Sequence, residues 1–236
     1  MEHKNHRNKL LNIFPSLSLD QIEKLLGFAI LVFEYNHRFN LTGCKTLEAV
    51  IDVLIIDSLS PFDTFNVPHG TSFVDIGTGS GIPGIPVGIV YSHFSGLLID
   101  SNHKKCDFIA RCINDLSLNN LSVSCGRVED FGHDASIRES FDHGFCRAFA
   151  NIYSSVELLF PFIKPNGSVF IYSNETHASL SSSILSHISS LGGSLVPISE
   201  YPLYGFRPAG ILFKKLSSTP DKYPRRFSVI SRASNH

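Results

Sequence analysis

The sequence predicts an α/β fold, a doubly wound and mostly parallel sheet with an antiparallel edge, preceded by a helical extension. From about residue 71, short apolar runs alternate with amphipathic stretches, which is typical of strand–helix–strand units. Before that point, apolar residues recur at helical spacing. With 236 residues, 43% of them apolar, the chain can bury one sizeable core. We therefore predict a helical extension (1–66), a sheet domain (67–216) and a basic C-terminal tail (217–236).

Two helices are predicted within the extension. The first covers residues 18–35, where Ser18 and, three positions later, Gln21 form the pattern of a capping box. The second covers residues 47–59 and ends before Pro61, because proline lacks the N–H group that a helix interior needs. The extension is therefore predicted to be helical throughout.

Seven apolar runs are predicted to be strands of a single sheet. The first five alternate with helical stretches and are expected to lie parallel. The last two have no long helix between them and are expected to form the antiparallel edge. The Ser-rich residues 179–190 keep their apolar positions at helical spacing, which predicts a helix. The predicted strands are Ser72–Ile76, Gly96–Ile99, Leu121–Cys125, His143–Cys146, Ser168–Tyr172, Ser194–Ile198 and Ala209–Lys215.

Composition excludes several classes of protein. The net charge of −1 argues against a surface that is basic overall, although residues 214–236 contain six Lys or Arg residues and one Asp. The five cysteines are scattered without a CxxC pair or clustered histidines, so we expect neither a metal site nor a disulfide framework. The polar amino terminus and the lack of an apolar run of about 18 residues predict a cytoplasmic protein without a membrane span.

Residues 73–84, FVDIGTGSGIPG, predict a ligand-binding turn after the first strand. Glycine has no Cβ and tolerates positive φ, so Gly77, Gly79 and Gly81 allow the backbone to approach a ligand closely. In doubly wound sheets such a turn lies at the carboxyl ends of the strands, where small cofactors bind.

Two cofactor classes fit this loop. Residues 79–84 match the GxGxxG pattern of NAD-binding proteins, which alone is weak evidence. Asp75 precedes the loop, where a carboxylate would repel a pyrophosphate but suits the cationic sulfonium of S-adenosylmethionine. Asp100 ends the second strand and suits ribose hydroxyls, and Glu129 follows the third strand. We expect S-adenosylmethionine, with NAD as the alternative.

Motifs in several parts of the chain resemble one family. They are YNHRFNLTG (35–43), the Asp-Ser pair at 57–58, FVDIGTGSGIPGIPVGIV (73–90), LLIDSNHKKCDFI (97–109), NNLSVSCGRVEDF (119–131) and CRAFA (146–150). They are similar to motifs of the bacterial RsmG (GidB) proteins, which methylate guanine N7 at position 527 of small-subunit (16S) rRNA. The resemblance implies a class I S-adenosylmethionine-dependent methyltransferase fold, that cofactor, and 16S rRNA or the small ribosomal subunit as partner.

The resemblance also implies the residues of the site. Arg147, just after the fourth strand, is expected to be the catalytic residue and to contact both cofactor and substrate; a surface arginine paired with Glu129 or Asp142 is the alternative. The expected cofactor-binding residues, including the loop glycines, are Asp75, Gly77, Gly79, Gly81, Ile82, Asp100, Val128, Glu129 and Arg147.

Two departures from the family pattern bear on activity. Members carry an Arg-His pair shortly before the Asp-Ser element, where this chain has Val53 and Leu54. A Lys-Gly pair usually follows the fifth strand, where this chain has Ser173 and Asn174. Both changes remove cationic groups that could hold RNA phosphate. The alternative function is therefore a cofactor-binding, RNA-associated protein with altered or weakened methyltransferase activity.

Methylation of guanine N7 needs no general base, because N7 already carries an in-plane lone pair. Catalysis is then mostly the in-line positioning of N7 against the methyl group of the cofactor. Cys146 is expected to be a buried structural thiol and not a nucleophile. Lys104 and Lys105 are expected to lie on the exposed face of the helix that follows Asp100.

RNA contact is predicted for the C-terminal tail. Lys222, Arg225 and Arg226 supply charge for phosphates, and Tyr223 and Phe227 lie between and beside them for stacking on bases. A solvated, disordered tail is the alternative.

Overall fold

A central seven-stranded sheet organises the fold, which a computed structural model describes for residues 2–59, 70–175, 179–196 and 210–234. The strands are β1 (Ser72–Ile76), β2 (Ser95–Asp100), β3 (Leu121–Cys125), β4 (Phe141–Arg147), β5 (Ile163–Tyr172), β6 (Gly193–Leu195) and β7 (Gly210–Lys215). Their order in the sheet is β3-β2-β1-β4-β5-β7-β6. β1 to β5 are parallel, whereas β7 pairs antiparallel with β5 and with β6. The predicted doubly wound sheet with an antiparallel edge is confirmed.

Helices precede the sheet and connect its strands. The extension contains α1 (Glu2–Ile13), α2 (Leu19–Phe39), α3 (Leu47–Ala49), a π-helical segment (Val50–Ile56) and α4 (Asp57–Leu59). The remaining helices are α5 (Gly84–Val90), α6 (His103–Asp115), α7 (Val128–Phe131), α8 (Ile152–Leu159), a 3-10 turn (Phe160–Phe162), α9 (Ser182–Ser190) and α10 (Phe227–Ala233). The three helices predicted at 18–35, 47–59 and 179–190 are confirmed, and α10 was not predicted.

Both ends of α2 are fixed by local hydrogen bonds. The predicted capping box is present, since Ser18 Oγ accepts from the Gln21 N–H (3.3 Å) and Gln21 Oε1 accepts from the Ser18 N–H (2.9 Å). At the other end, Asn40 adopts a left-handed conformation (φ 46°) and its N–H donates to the Asn36 carbonyl at 3.2 Å. The Asn36 side chain is buried and accepts from the Thr42 N–H (2.8 Å), which holds the chain that leaves the helix.

The two faces of the sheet carry separate hydrophobic clusters, because successive strand residues point to opposite sides. Phe73 belongs to the cluster that contains the extension, α5 and α6, and its neighbour Val74 belongs to the cluster that contains α8, α9 and α10. Both side chains are fully buried. The extension therefore packs against one face of the sheet and α10 against the other; the division at residues 66 and 216 stays a prediction.

The residues expected to form a tail pack against the rest of the chain. Tyr223 and Ile230 are buried. The Arg138 guanidinium donates to the carbonyls of Thr219 (2.8 Å) and Tyr223 (2.9 Å). The alternative of a disordered, solvated tail is therefore wrong for the described residues of this segment, and its contact with RNA stays a prediction.

Some of the predicted features lie outside the described residues. They are Pro61, the end of the predicted strand at 194–198, and residues 197–209. Within the described part of the chain, no helix is both long and apolar enough to cross a bilayer. The cytoplasmic location stays a prediction.

Candidate functional site

The glycine loop forms the turn between β1 and α5. Gly77, Gly79 and Gly81 have φ angles of 61°, 63° and 88°, which a side chain would strain. The Thr78 N–H donates to the Ile99 carbonyl of β2 (3.1 Å). The loop is therefore held against the carboxyl end of the neighbouring strand.

The Asp75 side chain holds this loop by hydrogen bonds from inside the protein. Its Oδ2 accepts from Thr78 Oγ1 (2.6 Å) and from the Gly84 N–H (2.9 Å). The side chain is fully buried, and burial raises its pKa to about 7 against the opposing effect of these two hydrogen bonds. The sequence predicted that Asp75 faces the charge of a cofactor. Its Oδ2 holds the loop, and Asp75 is not among the residues that line the cavity described below; its contact with a cofactor stays a prediction.

Asp100 joins the end of β2 to the same loop. One carboxylate oxygen accepts from the Gly79 N–H (2.9 Å), and the other accepts from the Asn102 N–H (2.9 Å). These bonds fix the carboxylate at the edge of the sheet next to β1. This edge contains the switch point between β1 and β4, where doubly wound folds bind their ligands.

A cavity of about 300 Å³ opens at this edge. Four residues predicted to bind the cofactor line it, namely Gly77, Asp100, Val128 and Glu129. Sequence reasoning did not assign the other lining residues to the site, which are Ser101, Lys105, Arg127, Ala148, Phe149 and Phe227. Four of these lie within two residues of a predicted position, so their place in the chain was a usable signal. The other predicted residues, Gly79, Gly81, Ile82, Asp75 and Arg147, are not among those that line this cavity.

Two aromatic rings form one wall of the cavity. Phe149 packs directly on Gly77, where an added Cβ would lie 2.0 Å from Phe149 Cδ2. Phe227 of α10 has its ring centroid 6.4 Å from that of Phe149, with 49° between the ring planes. The Phe227 N–H also donates to Glu129 Oε1 (3.4 Å). The C-terminal segment is therefore part of the site, through a contact between residues nearly one hundred positions apart.

Arg147 ends β4 and faces the extension. Its guanidinium lies 3.7 Å from a carboxylate oxygen of Asp57, and its Nη1 donates to Ser58 Oγ (3.0 Å). It also lies over the Tyr172 ring, 5.5 Å from the centroid, while the Tyr172 hydroxyl donates to the Ser58 carbonyl (2.5 Å). Burial raises the pKa of Asp57, although the charge of Arg147 opposes that shift. The alternative pairing of Arg147 with Glu129 or Asp142 is not observed among the described residues; its partner is the Asp-Ser element.

The cationic residues of the tail differ in their surroundings. Arg225 donates to both carboxylate oxygens of the buried Glu157, with Nε and Nη2 at 2.8 and 2.6 Å. Arg226 forms a surface pair with Asp130 (2.5 Å), and Lys222 is exposed above the Tyr223 ring. RNA contact by these three residues stays a prediction, but the guanidinium of Arg225 is already occupied within the protein.

Cys146 is fully enclosed beside the site. Burial raises the pKa of its thiol to about 12, so the reactive thiolate is disfavoured. This agrees with a structural thiol. Within the ranges that the structure describes, no group of three His, Cys, Asp or Glu side chains could hold a metal ion.

Comparisons with known proteins identify similar chains. Residues 21–184 match the family described as GidB, rRNA small subunit methyltransferase G. The chain is 31% identical to the ribosomal RNA small subunit methyltransferase G of Clostridium beijerinckii, over 92% of this chain and 91% of the relative. It is 33% identical to the protein of the same name from Lachnoclostridium phytofermentans, over 92% and 90% of the two chains.

A solved structure has a similar fold. It is a SAM dependent methyltransferase from Aquifex aeolicus, with a TM-score of 0.50 and 15% sequence identity, over 71% of this chain and 93% of that chain. At this identity the likeness concerns the fold alone. It agrees with the class I fold expected from the sequence.

Proposed function

The chain belongs to the GidB family, rRNA small subunit methyltransferase G, and from that premise we propose that it methylates guanine N7 in small-subunit (16S) rRNA. The methyl donor in this proposal is S-adenosylmethionine, and the target is position 527. The observation that carries the proposal is the cavity at the switch point of the sheet, bounded by the glycine loop and by Asp100.

The residues of the cavity suit S-adenosylmethionine. Its volume of about 300 Å³ is at the lower end of the range for ligand pockets. Asp100 is fixed by two backbone N–H groups and offers a carboxylate to ribose hydroxyls. Gly79 has positive φ, and no atom lies closer than 3.9 Å to the position of an added Cβ, so its backbone is open to approach. Val128 supplies an apolar side for a nucleobase.

In this proposal the protein acts by binding and orienting, and a proton acceptor is not required. When bound, S-adenosylmethionine supplies an electrophilic methyl group on a positively charged sulfur. Asp100 and Glu129 would hold the ribose, and Gly77 and Phe149 also line the cavity that receives the cofactor. Arg147 is held between Asp57, Ser58 and the Tyr172 ring, and we assign it the contact with the RNA substrate at the boundary of the extension.

One observation favours a second candidate function, a cofactor-binding protein with weakened methyltransferase activity. Val53 is 42% exposed one turn before Asp57, whereas Leu54 is buried. Position 53 is therefore a place where an arginine side chain could reach the substrate that Arg147 also contacts. Its replacement by valine removes that charge.

Two measurements test the proposed function. A thermal-shift titration with S-adenosylmethionine and with NADH should show stabilisation by the first ligand only, since a ligand that binds the native state raises its stability. Labelled S-adenosylmethionine should then transfer its methyl group to small-subunit RNA, and Asp100→Ala should reduce both binding and transfer. Stabilisation by NADH alone would contradict the cofactor, and binding without transfer would favour the second candidate.

A further inference from the structure

Two of the three tail residues predicted to contact RNA already pair with carboxylates of the protein. Arg225 is bound to the buried Glu157, and Arg226 is paired with Asp130. An RNA substrate must nevertheless reach the cavity at the switch point. Basic groups that line the cavity lie on that path. Lys105 and Arg127 line the cavity, and the cationic group of neither side chain forms a hydrogen bond or ion pair with another described residue.

Lys105 connects the cavity to a surface formed by two helices. The C-terminal end of α2 lies against the N-terminal end of α6, where Lys104 Nζ is 5.6 Å from the centroid of the Phe39 ring. Phe39 is 46% exposed, and Arg38 and Lys104 are also exposed. We call this surface the α2–α6 ridge; it consists of Arg38, Phe39, Lys104 and Lys105.

The Phe39 ring is supported by a second aromatic ring and is 46% exposed, although Lys104 also lies near it. It stacks on Tyr35, with ring centroids 5.9 Å apart, and Tyr35 packs on the buried Phe108 at 4.9 Å. Arg111 donates to the Tyr35 hydroxyl (2.7 Å), which fixes this second ring. An exposed aromatic ring held in place in this way loses little conformational entropy when another ring stacks on it.

The charge of the ridge is complementary to a nucleic acid. Three cations lie on it, whereas the first two turns of α6 carry one carboxylate, Asp107, which is exposed. The next carboxylate of α6, Asp115, is paired with Arg111 (3.1 Å). Basic groups beside an exposed aromatic ring form the usual platform for single-stranded nucleic acid, because phosphates bind the cations and a base stacks on the ring.

We propose that the α2–α6 ridge binds the single-stranded rRNA next to the target guanine, with a base stacked on Phe39 and phosphates on Lys104 and Lys105. This inference rests on the proposed function and adds the surface that guides RNA to the cavity. It also replaces the expectation that these two lysines form only a solvated helix face. The position of Lys105, which belongs to both the ridge and the cavity, gives the RNA a continuous path.

The test compares variants of the ridge with matched variants elsewhere. Phe39→Ala and Lys104→Ala are paired with Leu19→Ala, which removes a 58% exposed apolar side chain from the other end of α2, and with Lys24→Ala, which removes the same charge. The probe is a fluorescent RNA with the sequence of the small-subunit loop that contains the target guanine. Binding is measured by fluorescence anisotropy over a series of salt concentrations.

We expect Phe39→Ala to weaken RNA binding about tenfold. Lys104→Ala should weaken binding and reduce the salt dependence by about one phosphate contact. Both control variants should bind RNA like the wild type. The affinity for S-adenosylmethionine should be the same in all five proteins, and Phe39→Trp should retain RNA binding.

The outcomes separate this inference from the proposed function. If the wild type binds and methylates RNA while the ridge variants bind it equally well, the ridge is overturned and the proposed function stands. If the wild type neither binds nor methylates the RNA, both are overturned. If a ridge variant loses cofactor binding in parallel, the residue supports the fold and the ridge is overturned as an RNA surface.

Discussion

Two neighbouring arginines should have very different effects on stability. Arg225 pairs with Glu157, which is fully buried, whereas Arg226 is 68% exposed and pairs with Asp130 at the surface. Removing the Arg225 side chain leaves the buried Glu157 carboxylate with His187 as its remaining side-chain partner, so Arg225→Ala should reduce the free energy of unfolding by about 3 kcal/mol, the lower end of the range for a broken buried pair. Arg226→Ala removes a solvent-screened pair and should cost less than about 1 kcal/mol.

The pH dependence gives an independent measure of the same pair. Burial alone would raise the pKa of Glu157, but hydrogen bonds from Arg225 and His187 outweigh it and lower the pKa from 4.5 to about 2. A carboxyl whose folded pKa is lowered stabilises the protein above its unfolded pKa and loses that contribution as pH falls towards the folded pKa. The shift corresponds to about 3 kcal/mol, present at pH 5 and lost towards pH 2.

Urea denaturation of the wild type and the two variants measures both effects. At pH 7 the free energy of unfolding should fall strongly only in Arg225→Ala. Between pH 5 and pH 2 the difference between the wild type and Arg225→Ala should shrink by at most about 3 kcal/mol, because His187 retains part of the shift in the variant. Equal, small losses in the two variants, or a difference that does not change with pH, would refute the assignment of Arg225 as the structural partner of Glu157.

Three further variants test the cavity and the glycine loop beside it. Phe227→Ala should raise the dissociation constant for S-adenosylmethionine about tenfold in isothermal titration calorimetry. Val229→Ala, which changes an exposed position on the same helix, should leave the dissociation constant unchanged. Equal affinities of the two variants would contradict a role of Phe227 in the cavity wall. Gly77→Ala places a Cβ 2.0 Å from Phe149 at φ 61°, so calorimetry should detect no cofactor binding, and wild-type affinity would contradict the close packing. Burial raises the pKa of Asp75 to about 7. The free energy of unfolding of the ligand-free wild type, measured by urea denaturation, should therefore fall by about 2 kcal/mol relative to that of Asp75→Asn between pH 5 and pH 7. The absence of such a change would place the carboxyl in a solvated environment.

The sequence predicted the sheet well because its signals are local. The capping box of Ser18 and Gln21, the strand that contains Asp75 and the positive φ of Gly77 each depend on residues within a few positions of one another. Patterns of this kind specify an element before any tertiary contact forms.

The parts that were missed depend on distant pairs. Glu157 and Arg225 are 68 residues apart, and the chain around Arg225 shows only that it is basic. The contact of Phe227 with the cavity was missed for the same reason, because it joins distant parts of the chain. In addition, the sequence of the short helix that carries Phe227 resembles that of a polar tail. The hydrogen bonds of Asp75 to the loop could not be predicted for a different reason. A parallel strand is buried on both faces, so its sequence does not distinguish a side chain that faces the ligand from one that faces the loop.

The most direct test of the proposed function is the modification of small-subunit rRNA in cells that lack this gene. Mapping of N7-methylguanosine in the decoding-region loop should show its loss at one guanine, position 527. Expression of the wild-type protein should restore the modification, and expression of Asp100→Ala should not. An unchanged level of N7-methylguanosine at that guanine in the deleted cells would contradict the proposed function.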